Sequence, residues 1–214
     1  MLFWSLEFLA SYQLLLIVPL AVTLNEKGIE ELIAFLVGID SEGKVLVMRK
    51  IAIVGSPNVG KSVLFNDLTG SYALVSNYPG TTVEVSRGKC KIGDEEFEVV
   101  DTPGMYSLFS ITEEERVGRA ILLDEAPAVI LHVIDARNLE RMLPLTLQLL
   151  EAGLGVILVL NIMDEAQKAG IKIDIQRLEK ELNIPAVGTV STTGKGIDVL
   201  RGKIEEYVKT RAEK

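Results

Sequence analysis

The eight residues Gly55-Ser56-Pro57-Asn58-Val59-Gly60-Lys61-Ser62 constrain the fold more than any other part of the chain. They fit the pattern G-x-x-x-x-G-K-[ST]. A short apolar run, Ile51 to Val54, leads into them, and a stretch of helical character, Val63 to Leu68, leads out. That context reads as buried strand, tight loop, helix. The glycines let the backbone curl until its N–H groups point at one spot, and the helix starting at Lys61 adds the positive end of its dipole. The spot suits phosphate. Lys61 is placed to reach β and γ phosphates, and the Ser62 hydroxyl to ligate Mg²⁺. Ser56, Pro57, Asn58, Val59 and Val63 complete the cradle.

The rest of the chain alternates strand and helix patterns. Ala128 to Ile134 and Val156 to Leu160 are continuous apolar runs, as expected of central parallel strands. Glu84 to Lys91 and Glu95 to Val100 alternate around Gly93-Asp94 and read as a hairpin. Pro185 to Gly188 is a last short strand. Helices are expected at 113–123, 141–151, 173–182 and 197–210, the last with Ile197, Leu200, Ile204 and Tyr207 on one face. Ser71 to Thr82 is polar and loosely patterned, a mobile loop. The expected fold is α/β, a P-loop NTPase three-layer sandwich. Its sheet is mostly parallel and six-stranded with one antiparallel edge hairpin strand, and an N-terminal helical extension is added.

With 214 residues, 48% of them apolar, the chain holds one such domain, 48–214, preceded by a segment, 1–47. In that segment Phe8 to Leu24 is nearly all apolar but interrupted by Pro19, and no Lys or Arg precedes it. A spanning helix needs about 20 apolar residues. Ile29, Leu32, Ile33, Leu36 and Val37 then recur at helical spacing behind Asn25, a candidate cap. Three readings stand open: a membrane anchor, an added helical layer, or a natural start at Met48. The net charge of −8, without a basic block, argues against non-specific nucleic-acid binding, though it leaves room for a local basic patch; no DNA partner is expected, and RNA is disfavoured. The single Cys90 forms no internal disulfide, and with the single His132 it makes no zinc site. His132 lies within an apolar strand and is expected in the core. Glu113-Glu114-Glu115 opens a helix, where acids suit the dipole.

Two further loops bear chemistry. Asp101-Thr102-Pro103-Gly104 ends an apolar strand. Asp101 can hold Mg²⁺ there, and Gly104 can bring its backbone N–H close to a γ-phosphate. Gly80, Thr81 and Thr82 sit in the stretch expected to be mobile, and one threonine hydroxyl can close over the metal when the γ-phosphate is present. Asn161-Ile162-Met163-Asp164 follows the strand 156–160. Guanine offers two donors, N1–H and the 2-amino group, and the Asp164 carboxylate can accept both. Adenine lacks the pair, so such a site rejects it. Asn161 would brace neighbouring loops. After the last strand, Val190, Ser191 and Thr192 place backbone N–H groups where guanine O6 would lie. The ligand set is therefore GTP or GDP with Mg²⁺.

These loops together resemble the signature loops of translation-factor-class GTPases. Asn77-Tyr78-Pro79-Gly80-Thr81-Thr82-Val83-Glu84, Met105-Tyr106-Ser107-Leu108 and Asp135-Ala136-Arg137-Asn138-Leu139-Glu140-Arg141 resemble the cytosolic G domain of FeoB-type ferrous iron transporters, from about Met48 to about Tyr207. The resemblance implies several things. Thr82 is the switch threonine for Mg²⁺. Asn58 coordinates K⁺ in potassium-stimulated members and shares the catalytic set with Lys61, Thr82 and Gly104. Met105 stands where a water-orienting glutamine would follow Gly104, so intrinsic turnover is slow. The partner is a membrane permease domain or subunit, and the place is the cytoplasmic face of the membrane, or the cytoplasm if residues 1–47 are no anchor. Departures from the family pattern are mild: Tyr78 for Trp, Thr102 for Leu and Ile162 for Met. Two rival functions stay open, a nucleotide-sensing module with negligible turnover and a ribosome-assembly or tRNA-modification GTPase.

Overall fold

The computed structural model describes residues 48–70, 73–109 and 111–212. The expectations for residues 1–47 lie outside that range. Seven strands form one sheet: β1 Arg49–Val54, β2 Ala73–Asn77, β3 Glu84–Ile92, β4 Glu95–Asp101, β5 Val129–Asp135, β6 Val156–Asn161 and β7 Ala186–Gly188. Their spatial order is β2-β3-β4-β1-β5-β6-β7. Contacts from β4 through β1, β5 and β6 to β7 are all parallel. β3 alone runs the other way, antiparallel to both β2 and β4. The helices are α1 Lys61–Thr69, α2 Glu113–Leu123, α3 Leu139–Glu151, α4 Met163–Lys168, α5 Ile175–Leu182 and α6 Ile197–Ala212. Among the described residues, no helix is long and apolar enough to cross a membrane.

The three-layer arrangement follows from strand alternation. In β1, Ile51 and Ile53 face one side, with Leu64, Phe65 and Leu68 of α1 and Leu200, Ile204 and Val208 of α6. Ala52 and Val54 face the other, with Ile121 and Leu122 of α2 and Leu145 and Leu149 of α3. Every residue of β5 and β6 is buried, which is why their sequences read as unbroken apolar runs.

The sheet has seven strands where six were expected. The extra one is β2, inside the stretch read as a mobile loop. All five of its residues are exposed, and Leu74 keeps 69% of its surface open. An edge strand this exposed bears no burial pattern for a sequence to display; only its ladder to β3 makes it a strand. The short α4 was also absent from the expected order.

His132 lies in β5, 1% exposed, with its Nδ1 2.9 Å from the Thr146 hydroxyl of α3. Burial pushes its pKa down to about 3. The folded chain thus keeps it neutral while the unfolded chain takes up a proton below about pH 6.5. Stability from this group is complete above about pH 6.5 and is lost as pH falls toward 3, by about 1.4 kcal/mol per pH unit. Denaturant unfolding at pH 6.5 and 5.0 is expected to show about 2 kcal/mol more loss in the parent than in His132→Asn. Equal losses would mean that the ring titrates in the folded state.

Candidate functional site

Because β1, β4, β5, β6 and β7 are parallel, their carboxyl ends share one edge. Ile53 pairs in register with Asp101, Asp135 with Asn161, and Leu160 with Gly188. The loops after β1, β4, β6 and β7 therefore open at the same rim, where ligands bind in sheets of this kind.

The loop from Gly55 to Gly60 wraps back on the first turn of α1. Ser56 and Val59 are buried, and Pro57 and Asn58 are exposed. Asn58 adopts a left-handed φ of 64°, a conformation asparagine tolerates better than most residues. Gly60 caps α1 with φ 91° and supplies no side-chain cap. Backbone N–H groups from Asn58 to Val63 carry no hydrogen bond among the described residues. They form an unclaimed ring of donors at a helix N-terminus, suited to an anion. A Cβ at Gly60 would lie 2.3 Å from Asn161 Nδ2, so a side chain there would expel the asparagine.

Lys61 is 8% exposed, and its Nζ donates to the Ser56 carbonyl at 3.1 Å. Burial lowers its pKa, and the nearby Asp101 charge partly restores it. Asp101 is its counterpart: burial raises that pKa, while the Ser62 hydrogen bond and Lys61 draw it back. Ser62 Oγ donates to Asp101 Oδ2 at 2.7 Å, and Asp101 Oδ1 is buried with no partner among the described residues. Thr102 turns inward and donates to the Ile53 carbonyl at 2.9 Å. Val63 stays 40% exposed on the outer side of α1.

Pro103 and Gly104 are half-buried, and Gly104 packs so close to the first loop that a Cβ would sit 2.7 Å from Pro57 Cγ. A side chain at 104 would thus force two loops apart. Its N–H has no acceptor among the described residues. Met105 is 0% exposed, and its N–H bonds the Gly55 carbonyl at 3.1 Å. That side chain belongs to the core and faces no ligand.

Gly80, Thr81 and Thr82 occupy the turn joining β2 to β3. Tyr78 N–H bonds the Val83 carbonyl at 2.8 Å. The Thr81 hydroxyl is engaged twice, donating to Tyr78 O at 2.9 Å and accepting from Val83 N–H at 3.2 Å. Thr82 is exposed and shares no hydrogen bond with Ser62 or Asp101 among the described residues. The turn is closed on itself, and Thr82 is not brought to the other two.

Asn161 is a hub, 2% exposed. Its Nδ2 donates to the Val59 carbonyl at 2.9 Å, and its Oδ1 accepts from Thr189 Oγ1 at 3.1 Å and from Ser191 N–H and Oγ at 3.0 Å each. One amide thus ties the loop after β1 to the loop after β7. Ile162 is held in a left-handed conformation with φ 62°, strained for a β-branched residue by about 1–2 kcal/mol. Met163 N–H bonds the Thr189 carbonyl at 3.2 Å. Asp164 follows in the first turn of α4, its side chain 42% exposed, with Lys168 3.9 Å away. Of the N–H groups from 190 to 193, Val190 bonds Lys195 O, Ser191 bonds Asn161 and Thr193 bonds Val190 O. That of Thr192 has no partner among the described residues.

Three residues organise this rim in ways the sequence reading did not assign: Asp135 was quoted there only as part of a family motif, and Gln148 was not named. Glu115, set aside as one of three helix-dipole acids, accepts from the N–H groups of Ile111 at 2.9 Å, Thr112 at 3.3 Å and Tyr106 at 3.5 Å. Those backbone donors hold its carboxyl below the usual range. Its signal was present as Thr112-x-x-Glu115, a capping box. Gln148 of α3 pins the same loop, accepting from Ser107 Oγ at 3.0 Å and Leu108 N–H at 2.9 Å. Asp135 is buried and paired with Arg137 at 2.8 Å, and Asn138 donates to it at 3.1 Å. A cavity of about 640 Å³ lies between Ala136–Arg141, which follow β5, and Ile171–Asp174.

Comparison with known proteins places these features in a family. A family model described as ferrous iron transport protein B matches residues 49–204. The Fe(2+) transporter FeoB of Escherichia coli (strain K12) is 42% identical over 166 residues, covering 75% of this chain and 22% of that protein. The cytosolic domain of the T. maritima FeoB iron transporter in GDP form II matches with a TM-score of 0.73 at 42% identity, over 76% of this chain and 64% of that one. The same domain in GMPPNP form gives 0.72 at 43% identity, over 75% and 64%. The chain spans about a fifth (22%) of the length of the E. coli relative it matches. By fold, by loop placement and by these matches, the chain belongs to the ferrous iron transport protein B family, whose G domains are P-loop GTPase family members.

Proposed function

We propose that residues 48–214 bind guanine nucleotide, hydrolyse GTP, and serve as the switch of a ferrous iron transporter. The observation that carries this reading is the Ser62–Asp101 contact beside buried Lys61, with Asp101 Oδ1 left without a donor among the described residues. A buried carboxylate oxygen without a partner calls for one, and a hydroxyl next to a carboxylate is a donor set for Mg²⁺. Ser62 and Asp101 would hold that ion, joined by Thr82. When bound, Mg²⁺ neutralises charge on the β and γ oxygens. Lys61 and the N–H groups from Asn58 to Val63, which carry no bond among the described residues, supply the remaining positive potential. The Gly104 N–H meets the γ-phosphate. Asn58 would hold K⁺, in the part an arginine finger plays elsewhere. Asp164 reads the guanine donors, and Thr192, whose N–H has no partner among the described residues, meets O6. Relatives solved in GDP and GMPPNP forms support the nucleotide class.

Of the two switch threonines, Thr82 is the one able to move to the metal, because the Thr81 hydroxyl is occupied within the turn. The turn Thr82 would leave is closed by the Tyr78–Val83 bond, next to β2, whose residues are all exposed. No side chain at 105 is available to orient water, so turnover is slow. By kinship with a membrane iron transporter, the partner is a permease domain or subunit and the place is the cytoplasmic face of the membrane.

Competition against fluorescent GDP tests the reading. GTP is expected to displace the probe at least about a hundredfold better than ATP, since ATP leaves the Asp164 carboxylate without donors. Single-turnover hydrolysis is expected to be slow and faster in K⁺ than in Na⁺. Equal displacement by ATP would defeat the guanine assignment, and binding without hydrolysis in either salt would favour a sensor.

A further inference from the structure

The helix that begins at the phosphate cradle closes at Gly70, whose N–H bonds the Asn66 carbonyl at 2.8 Å, but its own last turn holds no charge that offsets the dipole. α1 has no basic residue in its last turn, and Asp67 there adds a negative charge where the dipole is already negative. The compensation comes from α6. Arg201 Nη2 donates to the carbonyls of Asp67 at 3.1 Å and Leu68 at 2.9 Å, and its Nη1 donates to the Lys91 carbonyl at the end of β3 at 3.1 Å. One planar guanidinium thus grips three carbonyls on two elements, which the single ammonium of lysine cannot match. Asp67 Oδ2 lies buried with no partner among the described residues; burial raises that carboxyl's pKa, and the Arg201 charge only partly counters it.

Position in the chain gives the contact its meaning. α6 starts at Ile197, separated by three residues from the loop Val190–Thr193 proposed to read guanine, and Arg201 lies in its second turn. α1 starts at Lys61 and is nine residues long, about 13 Å. At the rim, Asn161 fastens the two loops together through Val59 and Ser191. At the opposite end of α1, Arg201 fastens the helices that follow those loops. Leu64, Phe65 and Leu68 seat α1 against the sheet, the rim contact holds its N-terminal end and Arg201 its C-terminal end, so its depth beneath the phosphates is set relative to the base loop. Misplacement of a charged group by about an ångström can cost up to about a hundredfold in a preorganised site.

We propose that Arg201 is a positioning residue which, by clamping the C-terminal carbonyls of α1, makes phosphate recognition by Lys61 and Ser62 depend on the same frame as base recognition. The inference rests on the nucleotide reading above. It separates two ligands that share a base. GDP uses Lys61 through its β-phosphate, whereas GMP has no β-phosphate and gains nothing from that contact.

The test measures GDP and GMP by competition against fluorescent GDP with the full chain, its Arg201→Gln and its Arg201→Lys variants, each checked by circular dichroism. In Arg201→Gln, GDP affinity is expected to fall about tenfold, or about 1.4 kcal/mol. GMP affinity should change less than twofold, so the ratio of the two dissociation constants shrinks at least about fivefold. Arg201→Lys keeps the charge and part of the grip, and should recover about half of that change on a logarithmic scale. A role confined to fold stability lowers the melting temperature and leaves the ratio alone; an unmoved ratio in a folded variant overturns the clamp. If the Gln variant does not fold, the Lys variant decides, with about a threefold change in ratio expected and none overturning the proposal. A parent chain that binds neither nucleotide defeats the nucleotide reading, and the clamp with it. A parent that binds while the variants keep its ratio defeats the clamp alone.

Discussion

Replacing Lys61 with alanine is expected to lower affinity for GDP and GTP by at least about a hundredfold, or about 2.8 kcal/mol, while moving the nucleotide-free melting temperature little. The asymmetry comes from what the ammonium meets in each state. Without ligand it has one neutral acceptor, the Ser56 carbonyl at 3.1 Å, and shares the neighbourhood of Asp101. Burial opposes its charge, and a buried ammonium–carboxylate pair is close to neutral for stability. Against a bound nucleotide the same group faces phosphate oxygens in a site with little water, where the Coulomb term is several times larger. Thermal melts give the cleanest readout, because saturating GDP raises the parent's melting temperature in proportion to the logarithm of its affinity and should raise the variant's hardly at all. A variant that binds GDP as the parent does would contradict the cradle. One that unfolds without nucleotide would make the Lys61–Asp101 proximity structural before it is functional.

The second large effect is a change of base. Asp164→Asn should weaken GTP by about a hundredfold or more and bring XTP to parity or better. A carboxylate presents two acceptors to the N1–H and 2-amino group of guanine, whereas an amide presents one acceptor and one donor. Xanthine keeps N1–H and puts an oxygen at position 2, which matches the amide. The substitution is well placed for a clean result. The Asp164 side chain is 42% exposed, and its protein partner, Lys168, is 3.9 Å away, so the fold has little invested in the carboxylate. The residue that does hold the loops is Asn161, three positions earlier. Competition by GTP and XTP against a fluorescent diphosphate reads the swap directly. If the variant still prefers GTP by the parent's margin, the base is read elsewhere along the rim, and Thr192 becomes the first residue to examine.

Much of this was legible in the chain because the chemistry is local. The glycines flanking Ser56–Val59, the apolar runs of β5 and β6, and the spacing from Asn161 to Asp164 each state a backbone or burial requirement within a few residues. Read together they imply a parallel sheet with its loops at one rim. Other features had no local mark. β2 is a strand only because β3 lies beside it. Whether Thr81 or Thr82 is free depends on a turn closed by Tyr78 and Val83. Among the described residues the Thr192 N–H has no partner, whereas those of Ser191 and Thr193 go to Asn161 and Val190.

What the amino-acid sequence determined by itself, then, is which residue types stand at the end of each strand, since a tight turn, a phosphate or a buried face demands particular atoms at a particular place along the backbone. What the tertiary structure alone decided is which of those groups are already spoken for. Asn161 reaches Val59 across 102 residues, and Arg201 reaches Leu68 across 133. Hydrogen-bond capacity is finite, and its allocation between distant segments is settled only when the sheet brings them within about 3 Å.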